Sequence, residues 1–188
     1  MNTVPGVTGN KMRTVSGRFI DFADPQPNQF TLEDIATGLG SECRFGNQLD
    51  RHYSVAEHSL HCLAIASMWK GVSVSVKRAV LMHDAAEAFC LDIPKPLKIM
   101  LPNYGPIEDQ VYSVIATKYG INPHSQFVKH CDLIALKAEK TYFGEQDDQH
   151  DLSEIANVTI PIKCYCRRDA TELFLAACQE LGIREVRS

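Results

Sequence analysis

Apolar residues that repeat with helical spacing, between helix start and stop signals, constrain the fold of this chain most strongly. Thr31 is expected to cap a first helix that ends near Gly38 or Gly40. The segment 54–57, Ser-Val-Ala-Glu, has the pattern of a capping box and predicts a second helix that continues to 68–69, before Gly71. Further helices are predicted at about 76–89, 106–119, 125–142 and 169–181. Strand signals are scarce, with 160–166 a short apolar segment that suits an extended chain, so the sequence predicts an all-α helical bundle.

The length of 188 residues fits a single domain with its own core. We expect a helical core at about 14–145, followed by a C-terminal helical extension at about 150–188. Residues 1–30 are rich in glycine and proline, which predicts a short irregular or extended N-terminal arm, or a short hairpin.

The net charge of -4 argues against binding to nucleic acid or to an anionic membrane surface. A negatively charged substrate would have to be held by a few local cations against a repulsive field. This charge balance therefore indicates a compact site for a small ligand.

The beginning of the sequence lacks the pattern of a signal peptide, and no apolar run approaches the ~18 residues that span a bilayer. The seven cysteines form an odd set that lies mostly in apolar helical patterns, which is typical of reduced, buried thiols. Cys164 and Cys166 are interpreted as structural, because a zinc knuckle would need a second pair. We therefore expect a cytoplasmic protein with no membrane attachment.

Two adjacent ionisable residues, His83 and Asp84, lie in the apolar segment 79–87, within the third predicted helix. Such groups are costly to bury without a partner, and aspartate is a poor residue for a helix interior. A divalent cation would compensate, since imidazole and carboxylate are both good ligands for transition metals. A buried ion pair or a hydrogen-bonded core histidine would also explain the pair. A second copy, His150-Asp151, lies in a polar run that looks like a solvated loop.

Further candidate groups lie at spacings that bring them near this pair. Glu87 follows His83 by four residues, on the same face of a helix, and Asp92 comes shortly after it. His58 lies in the first turn after the capping box, and Asp132 is a carboxylate inside another apolar helical pattern. Helical bundles build metal sites from inward-facing side chains in this way.

The ordered set of His58, His83-Asp84, Glu87, Asp92 and Asp132 resembles the HD-domain phosphohydrolases. The most similar members are the bacterial 5′-deoxynucleotidases and the phage-type dATP triphosphohydrolases. The segment 43–46, Cys-Arg-Phe-Gly, also resembles that branch, and the resemblance covers about residues 14–140. It implies an HD-domain helical bundle in the cytosol of a bacterium or a phage-infected host.

The resemblance also implies roles for individual residues. It places His58, His83, Asp84 and Asp132 as ligands of one divalent transition metal ion, which is Mn, Co, Fe or Zn. Its catalytic acids are Glu87, which transfers a proton, and Asp92, which acts in catalysis or contacts substrate. Its substrate-binding residues are Arg44 for the phosphate, Phe45 for base or sugar, and Ile93, Pro94 and Lys95 in a substrate loop. Lys98 and Lys95 are held near the site by prolines and suit further phosphates, although a solvated surface position explains both lysines equally well.

These roles predict a metal-dependent phosphohydrolase whose partner is a small deoxynucleotide. Release of triphosphate from a dNTP, with dATP favoured, is the preferred version, and removal of phosphate from a dNMP by a 5′-deoxynucleotidase is the alternative. A metal-dependent nucleotide-binding module without catalysis is an alternative of another class, although Glu87 and Asp92 argue against it. The resemblance further predicts a homo-oligomer.

Overall fold

A computed structural model describes residues 9–122, 125–144 and 151–185, and these residues fold mainly as helices. The elements within them are β1 (Lys11–Arg13), β2 (Phe19–Asp21), α1 (Leu32–Ser41), α2 (Val55–Met68), α3 (Val74–Leu81), α4 (Glu87–Cys90), α5 (Lys95–Ile99), α6 (Tyr104–Tyr119), α7 (Gln126–Phe143) and α8 (Arg167–Glu180). The predicted helical class is confirmed in this coarse sense, with one small two-stranded sheet added.

Three helices begin next to the residues at which the sequence predicts their starts. The hydroxyl of Thr31 accepts a hydrogen bond from the Asp34 amide at the start of α1. Ser54 does the same for α2, and Ser125 for α7. Each hydroxyl satisfies one of the amides that a first helical turn leaves without a partner. These three predicted starts are confirmed.

The prediction of one continuous helix over 76–89 is wrong. Helix α3 ends at Leu81, residues 82–86 form turns, and α4 begins at Glu87. Neighbouring side chains on a helix diverge by about 100°, so a regular helix would direct His83 and Asp84 apart. In the turn, His83 Nε2 lies 3.1 Å from Asp84 Oδ2. The break therefore places the two side chains together.

The prediction that α1 ends near Gly38 or Gly40 needs correction, because these glycines lie inside the helix and serve packing. A Cβ atom on Gly38 would come within 2.7 Å of the Ala88 side chain in α4. A Cβ atom on Gly40 would overlap the Thr171 hydroxyl in α8. Both glycines let the neighbouring helices approach α1 closely, and α1 continues past them to Ser41.

Two other helix predictions also need correction. The last helix begins at Arg167, with Cys166 at its N-cap position, so Asp169 lies inside the first turn. The short helix α5 was not predicted, because proline usually ends a helix and Pro94 and Pro96 lie at its start. Proline is tolerated in the first turn of a helix, where its missing N–H would have no partner. The apolar segment 160–166 forms neither a strand nor a helix.

The N-terminal region forms the predicted short hairpin. Strands β1 and β2 pair antiparallel, with Met12 opposite Ile20. The Asp34 carboxylate of α1 accepts hydrogen bonds from the amide and hydroxyl of Ser16, at 2.8 and 2.6 Å. The hairpin is therefore tied to the start of α1, while residues 1–8 of the predicted arm lie outside the described residues.

Helix α2 lies at the centre of the packing and contacts α1, α3, α7 and α8. Its buried side chains join one core with those of its neighbours, including Ile35, Leu39, Ile65, Leu81, Ile115, Ile134 and Phe174. The predicted boundary between core and C-terminal extension falls at 145–150, outside the described residues, as does His150. Within the described ranges, no helix combines the length and apolarity that crossing a membrane requires.

Candidate metal centre

The four predicted metal ligands come together where α2 and α7 meet the turn between α3 and α4. His58 Nε2 lies 3.6 Å from Asp84 Oδ2 and 3.3 Å from Asp132 Oδ1. His83 Nε2 lies 3.1 Å from the same Asp84 oxygen and 3.9 Å from the same Asp132 oxygen. Residues separated by up to 74 positions in the sequence thus place two imidazole nitrogens and two carboxylate oxygens around one point.

Both imidazole rings are held so that Nε2 faces the cluster. His83 Nδ1 donates a hydrogen bond to the Val80 carbonyl, at 2.8 Å. His58 Nδ1 donates to Oε1 of Glu139, at 2.5 Å. A proton on Nδ1 leaves the lone pair of Nε2 available, which is the usual arrangement of histidines that bind metals.

A fifth donor, the thiol of Cys62, joins this cluster. Cys62 follows His58 by one turn of α2, and its Sγ lies 3.5 Å from His58 Nε2. Ligand atoms of His58, Cys62, His83 and Asp132 all lie within 4.8 Å of one another. In tetrahedral geometry, bonds of ~2.0–2.3 Å place ligand atoms about 3.3–3.8 Å apart, so the observed spacings suit a transition metal.

The electrostatics of the cluster also suit a cation. Burial lowers the pKa of His83, but Asp84 and Asp132 more than offset this and raise it well above its ordinary value. Burial raises the pKa of Asp132, but the contacts with His58 and His83 outweigh this effect and hold the pKa well below the usual range. The carboxylates thus favour positive charge on the imidazoles. A divalent ion would supply that charge in place of the protons.

A cavity of about 220 Å³ opens beside the cluster. Its lining contains the following residues: His83, Asp84, Ala86, Glu87, Lys98, Glu108, Asp109 and Tyr112. Two of its side-chain atoms, Glu87 Oε2 and the Tyr112 hydroxyl, are buried without a hydrogen-bond partner among the described residues, and His83 Nε2 is buried against carboxylate oxygens without a well-aligned hydrogen bond. Buried polar atoms are nearly always paired, so this concentration indicates a site for a polar ligand.

The two predicted catalytic acids lie close to the cluster, and both have raised pKa values. Burial raises the pKa of Glu87 well above its ordinary value, and the neighbouring Asp84 and Asp92 act in the same direction. Burial likewise raises the pKa of Asp92, although Arg44 opposes the shift. Asp92 is positioned through its backbone amide, which donates to the Glu42 carboxylate at 3.0 Å.

Arg44 reaches the cluster from the loop between α1 and α2. Its Nε and Nη2 atoms both lie 3.1 Å from Glu139 Oε2, and its Nη1 lies 4.0 Å from Asp84 Oδ2. Phe45 and Asn47, on either side of Gly46, adopt φ values of 58° and 60°. Non-glycine residues rarely take this conformation, which is typical of sites where function constrains the backbone.

The remaining predicted substrate residues lie around this loop, and they differ in how closely they approach the cavity. The Phe45 ring packs against Arg44 and Phe143, with the guanidinium carbon 5.6 Å from its centroid. Pro94 lies so close to Gly46 that a Cβ atom there would be 2.9 Å from its ring. Lys98 lines the cavity but pairs with Glu108. Lys95 is exposed and Ile93 half-buried, and neither is among the residues that line the cavity.

The sequence analysis assigned no role to Glu139 or Cys62. Glu139 is 1% exposed and contacts His58, Arg44 and Tyr53. It follows Asp132 by seven residues, which is two turns on the same face of a helix, and this spacing could have revealed it. Cys62 follows His58 by four residues and was detectable in the same way.

Glu57 does not cap the start of α2, which is the role that the capping-box pattern predicts. Its carboxylate does not return to the start of α2 but accepts hydrogen bonds from three backbone amides, those of residues 163, 164 and 165. Glu57 is fully buried, so these bonds anchor the segment before α8 against α2.

Comparison with known proteins finds relatives in two bacteria. The chain is 38% identical to the uncharacterized protein YfdR of Escherichia coli over 137 residues, which cover 72% of this chain and 74% of YfdR. It is 32% identical to the uncharacterized protein RCAP_rcc00048 of Rhodobacter capsulatus over 136 residues, which cover 68% and 69% of the two chains. No family model matches the sequence. At this level of identity and coverage, the chain belongs to the same protein family as YfdR.

Proposed function

We propose that this chain is a metal-dependent phosphohydrolase of the HD-domain type that acts on deoxynucleotides. One observation carries the proposal. The cavity beside the His–Asp cluster contains three buried polar atoms that make no well-aligned hydrogen bond in the described part of the chain. Two of them belong to His83 and Glu87, which the resemblance places as a metal ligand and as the proton-transfer group. A site that is incomplete in this way is suited to a metal and a phosphate ester.

The metal ligands in this proposal are His58, His83, Asp84 and Asp132, with Cys62 as a neighbouring soft donor. A divalent transition metal there would stabilise charge on the phosphoryl oxygens and favour deprotonation of water at neutral pH. Imidazole and carboxylate together suit manganese, cobalt, iron or zinc.

The side chains around the metal position have separate tasks. The raised pKa of Glu87 lets its carboxyl group hold and release a proton closer to neutral pH, as a general acid or base must. Arg44 offers a permanently charged guanidinium that neutralises charge developing on the phosphate. Burial raises the pKa of Asp92, which lies within charge range of both Glu87 and Arg44, so its carboxyl group is a second candidate for proton transfer.

The charge of the cavity favours a substrate with a single phosphate. A triphosphate needs several cations, but Lys98 is already paired with Glu108. Asp84 and Asp109 add further negative charge to the lining. We therefore place removal of phosphate from a dNMP ahead of triphosphate release from a dNTP, which the sequence alone had favoured.

Product analysis tests this proposal. The purified protein is stripped with chelator, reloaded with Mn²⁺, Co²⁺, Fe²⁺ or Zn²⁺, and incubated with dAMP, dATP and the other deoxynucleotides. Chromatography that detects deoxynucleoside and free phosphate from dNMPs supports the proposal, and triphosphate from dATP supports the second version. Tight nucleotide binding without turnover under every metal would contradict both versions and identify a binding module.

Two matched variants distinguish the metal centre from a general effect of charge. Asp84→Ala is expected to lose bound metal and activity together, because it removes a carboxylate that contacts both imidazoles. Asp151→Ala removes the exposed aspartate of the second His-Asp pair and is expected to change neither. Full activity of Asp84→Ala in the presence of chelator would exclude a metal mechanism.

A further inference from the structure

We propose that Glu139 is the positioning residue of the metal centre: one buried carboxylate orients both the His58 ligand and the Arg44 guanidinium. This inference rests on the proposed metal centre and concerns a residue outside both the candidate ligand group and the lining of the cavity. It deepens the proposed function because it explains how a metal ligand and a phosphate-binding group keep a fixed separation.

The first oxygen of Glu139 fixes the His58 ring. Oε1 accepts a hydrogen bond from Nδ1–H at 2.5 Å, on the side of the ring opposite to Asp84 and Asp132. The ring then presents the lone pair of Nε2 to the cluster. Partners of this kind set the tautomer and orientation of metal-binding histidines.

The second oxygen of Glu139 fixes Arg44. Oε2 lies 3.1 Å from both Nε and Nη2, so the guanidinium is held along one edge. This leaves Nη1 on the side of Asp84, at 4.0 Å. The distance between the cluster and the arginine is therefore set through a single carboxylate.

A third partner limits the freedom of Glu139 itself. The Tyr53 hydroxyl donates to Oε1 at 2.8 Å and also contacts His61 Nδ1 at 2.8 Å. Glu139 and Tyr53 are each 1% exposed. Both carboxylate oxygens thus have fixed partners, and the side chain cannot change rotamer without breaking several hydrogen bonds.

Stability alone does not explain this arrangement. Burying ionised groups is costly, and replacing a buried ion pair by well-packed apolar side chains is often neutral or stabilising. A carboxylate that joins a predicted ligand to a predicted phosphate-binding residue is better explained by orientation of the site.

The test measures metal affinity, which a purely structural role would leave unchanged in a folded variant. Glu139→Gln keeps the shape of the side chain but removes the charge and one acceptor. We expect its affinity for Co²⁺ or Zn²⁺, measured by chelator competition, to fall about 10- to 100-fold, as for other residues that orient ligands. The visible spectrum of the Co²⁺ form should change as well, because it reports ligand geometry. Circular dichroism and thermal unfolding check that the variant is folded.

Two more variants complete the design. Glu139→Asp keeps the charge but withdraws it by about one bond length, so it should also weaken Co²⁺ binding. This variant replaces Glu139→Gln in the test if Glu139→Gln does not fold. Tyr53→Phe removes one partner of Glu139 and leaves its contacts with His58 and Arg44, so its loss of affinity should be smaller than that of either Glu139 variant.

The outcomes separate this inference from the proposed function. A folded Glu139 variant with wild-type Co²⁺ affinity and spectrum would overturn the positioning role alone. A wild-type protein that binds metal but cleaves no nucleotide would overturn the proposed function, and the metal affinities of the variants would still decide the role of Glu139. A wild-type protein that binds none of the metals would overturn both.

Discussion

At the scale of single residues, the metal centre contains groups that weaken the fold in the absence of ligand. Glu87 is the clearest case, because its Oε2 is buried without a hydrogen-bond partner in the described ranges. Such an atom usually costs about 1–3 kcal/mol. Functional sites often retain groups of this kind, and replacing them stabilises the protein at the expense of activity.

We predict that Glu87→Gln stabilises the metal-free protein and removes most of its phosphohydrolase activity. The raised pKa means that the folded protein holds this proton above the ordinary value of 4.5, where the unfolded chain has lost it. Stability contributed by that proton falls as pH rises through this range. The advantage of the glutamine variant should therefore be small at pH 4 and larger at pH 8, as measured by urea unfolding with chelator.

Activity and metal binding provide the control for this prediction. Glu87→Gln should bind Co²⁺ and nucleotide with little change, because Glu87 is outside the set of metal ligands. A variant that hydrolyses nucleotide at the wild-type rate would exclude Glu87 as the proton-transfer group.

At the scale of elements, polar side chains hold the segments that surround the helical core. Two connections stand out: Glu57 binds the segment before α8, and Asp34 binds the hairpin. Each uses a carboxylate that accepts backbone hydrogen bonds, which is a strong arrangement because the acceptor is charged.

We predict that Glu57→Gln lowers the free energy of unfolding by about 1–3 kcal/mol. The carboxylate accepts three amides, at 2.8, 3.0 and 2.8 Å, whereas a glutamine side chain would turn an NH₂ group toward at least one of them. Urea unfolding measures the loss. Ser54→Ala, which removes the cap of the same helix, is the comparison and should cost about 1 kcal/mol. A smaller loss for Glu57→Gln than for Ser54→Ala would contradict the anchoring role.

We predict that Asp34→Asn destabilises the protein at neutral pH, by about 1–2 kcal/mol, and that the difference disappears in acid. Burial acts to raise the pKa of Asp34, but hydrogen bonds from Ser16 and Thr31 outweigh it and lower the pKa below its ordinary value of 3.8. A lowered pKa gives stability that is present above 3.8 and lost as pH falls through the folded-state pKa. Unfolding at pH 7 and pH 3 tests this. A constant difference between variant and wild type would show that charge is not the cause.

At the scale of the whole molecule, the sequence predicted most helices and the convergence of the four ligand candidates, since both depend on local patterns and on ionisable residues in apolar surroundings. It did not predict the break at 82–86, because the apolar helical pattern continues through these residues and the groups that His83 and Asp84 face, Asp132 and His58, come from distant segments. The spacing from Asp132 places Glu139 on the same helix face, but its partners come from α2 and from the loop that carries Arg44, and no local pattern identifies those contacts. Interactions between distant segments cannot be inferred from the periodicity of any one segment.

We predict, finally, that the chain forms a homo-oligomer through the surface around α5. Ile99 and Met100 are 75% and 77% exposed, and Leu91, Leu97 and Leu101 lie exposed in the same stretch of chain. Apolar side chains grouped in this way usually mark an interface, and a contact between two copies about a two-fold axis would bury the group from both copies.

Light scattering coupled to size-exclusion chromatography should give more than the monomer mass, and Ile99→Glu with Met100→Glu should return the monomer. Val15→Glu, at an exposed apolar residue in the hairpin turn, is the control and should leave the assembly intact. A wild-type protein that stays monomeric at high concentration would contradict the prediction. Because Lys98 lies between these residues and lines the cavity, loss of the assembly should also alter KM for the nucleotide.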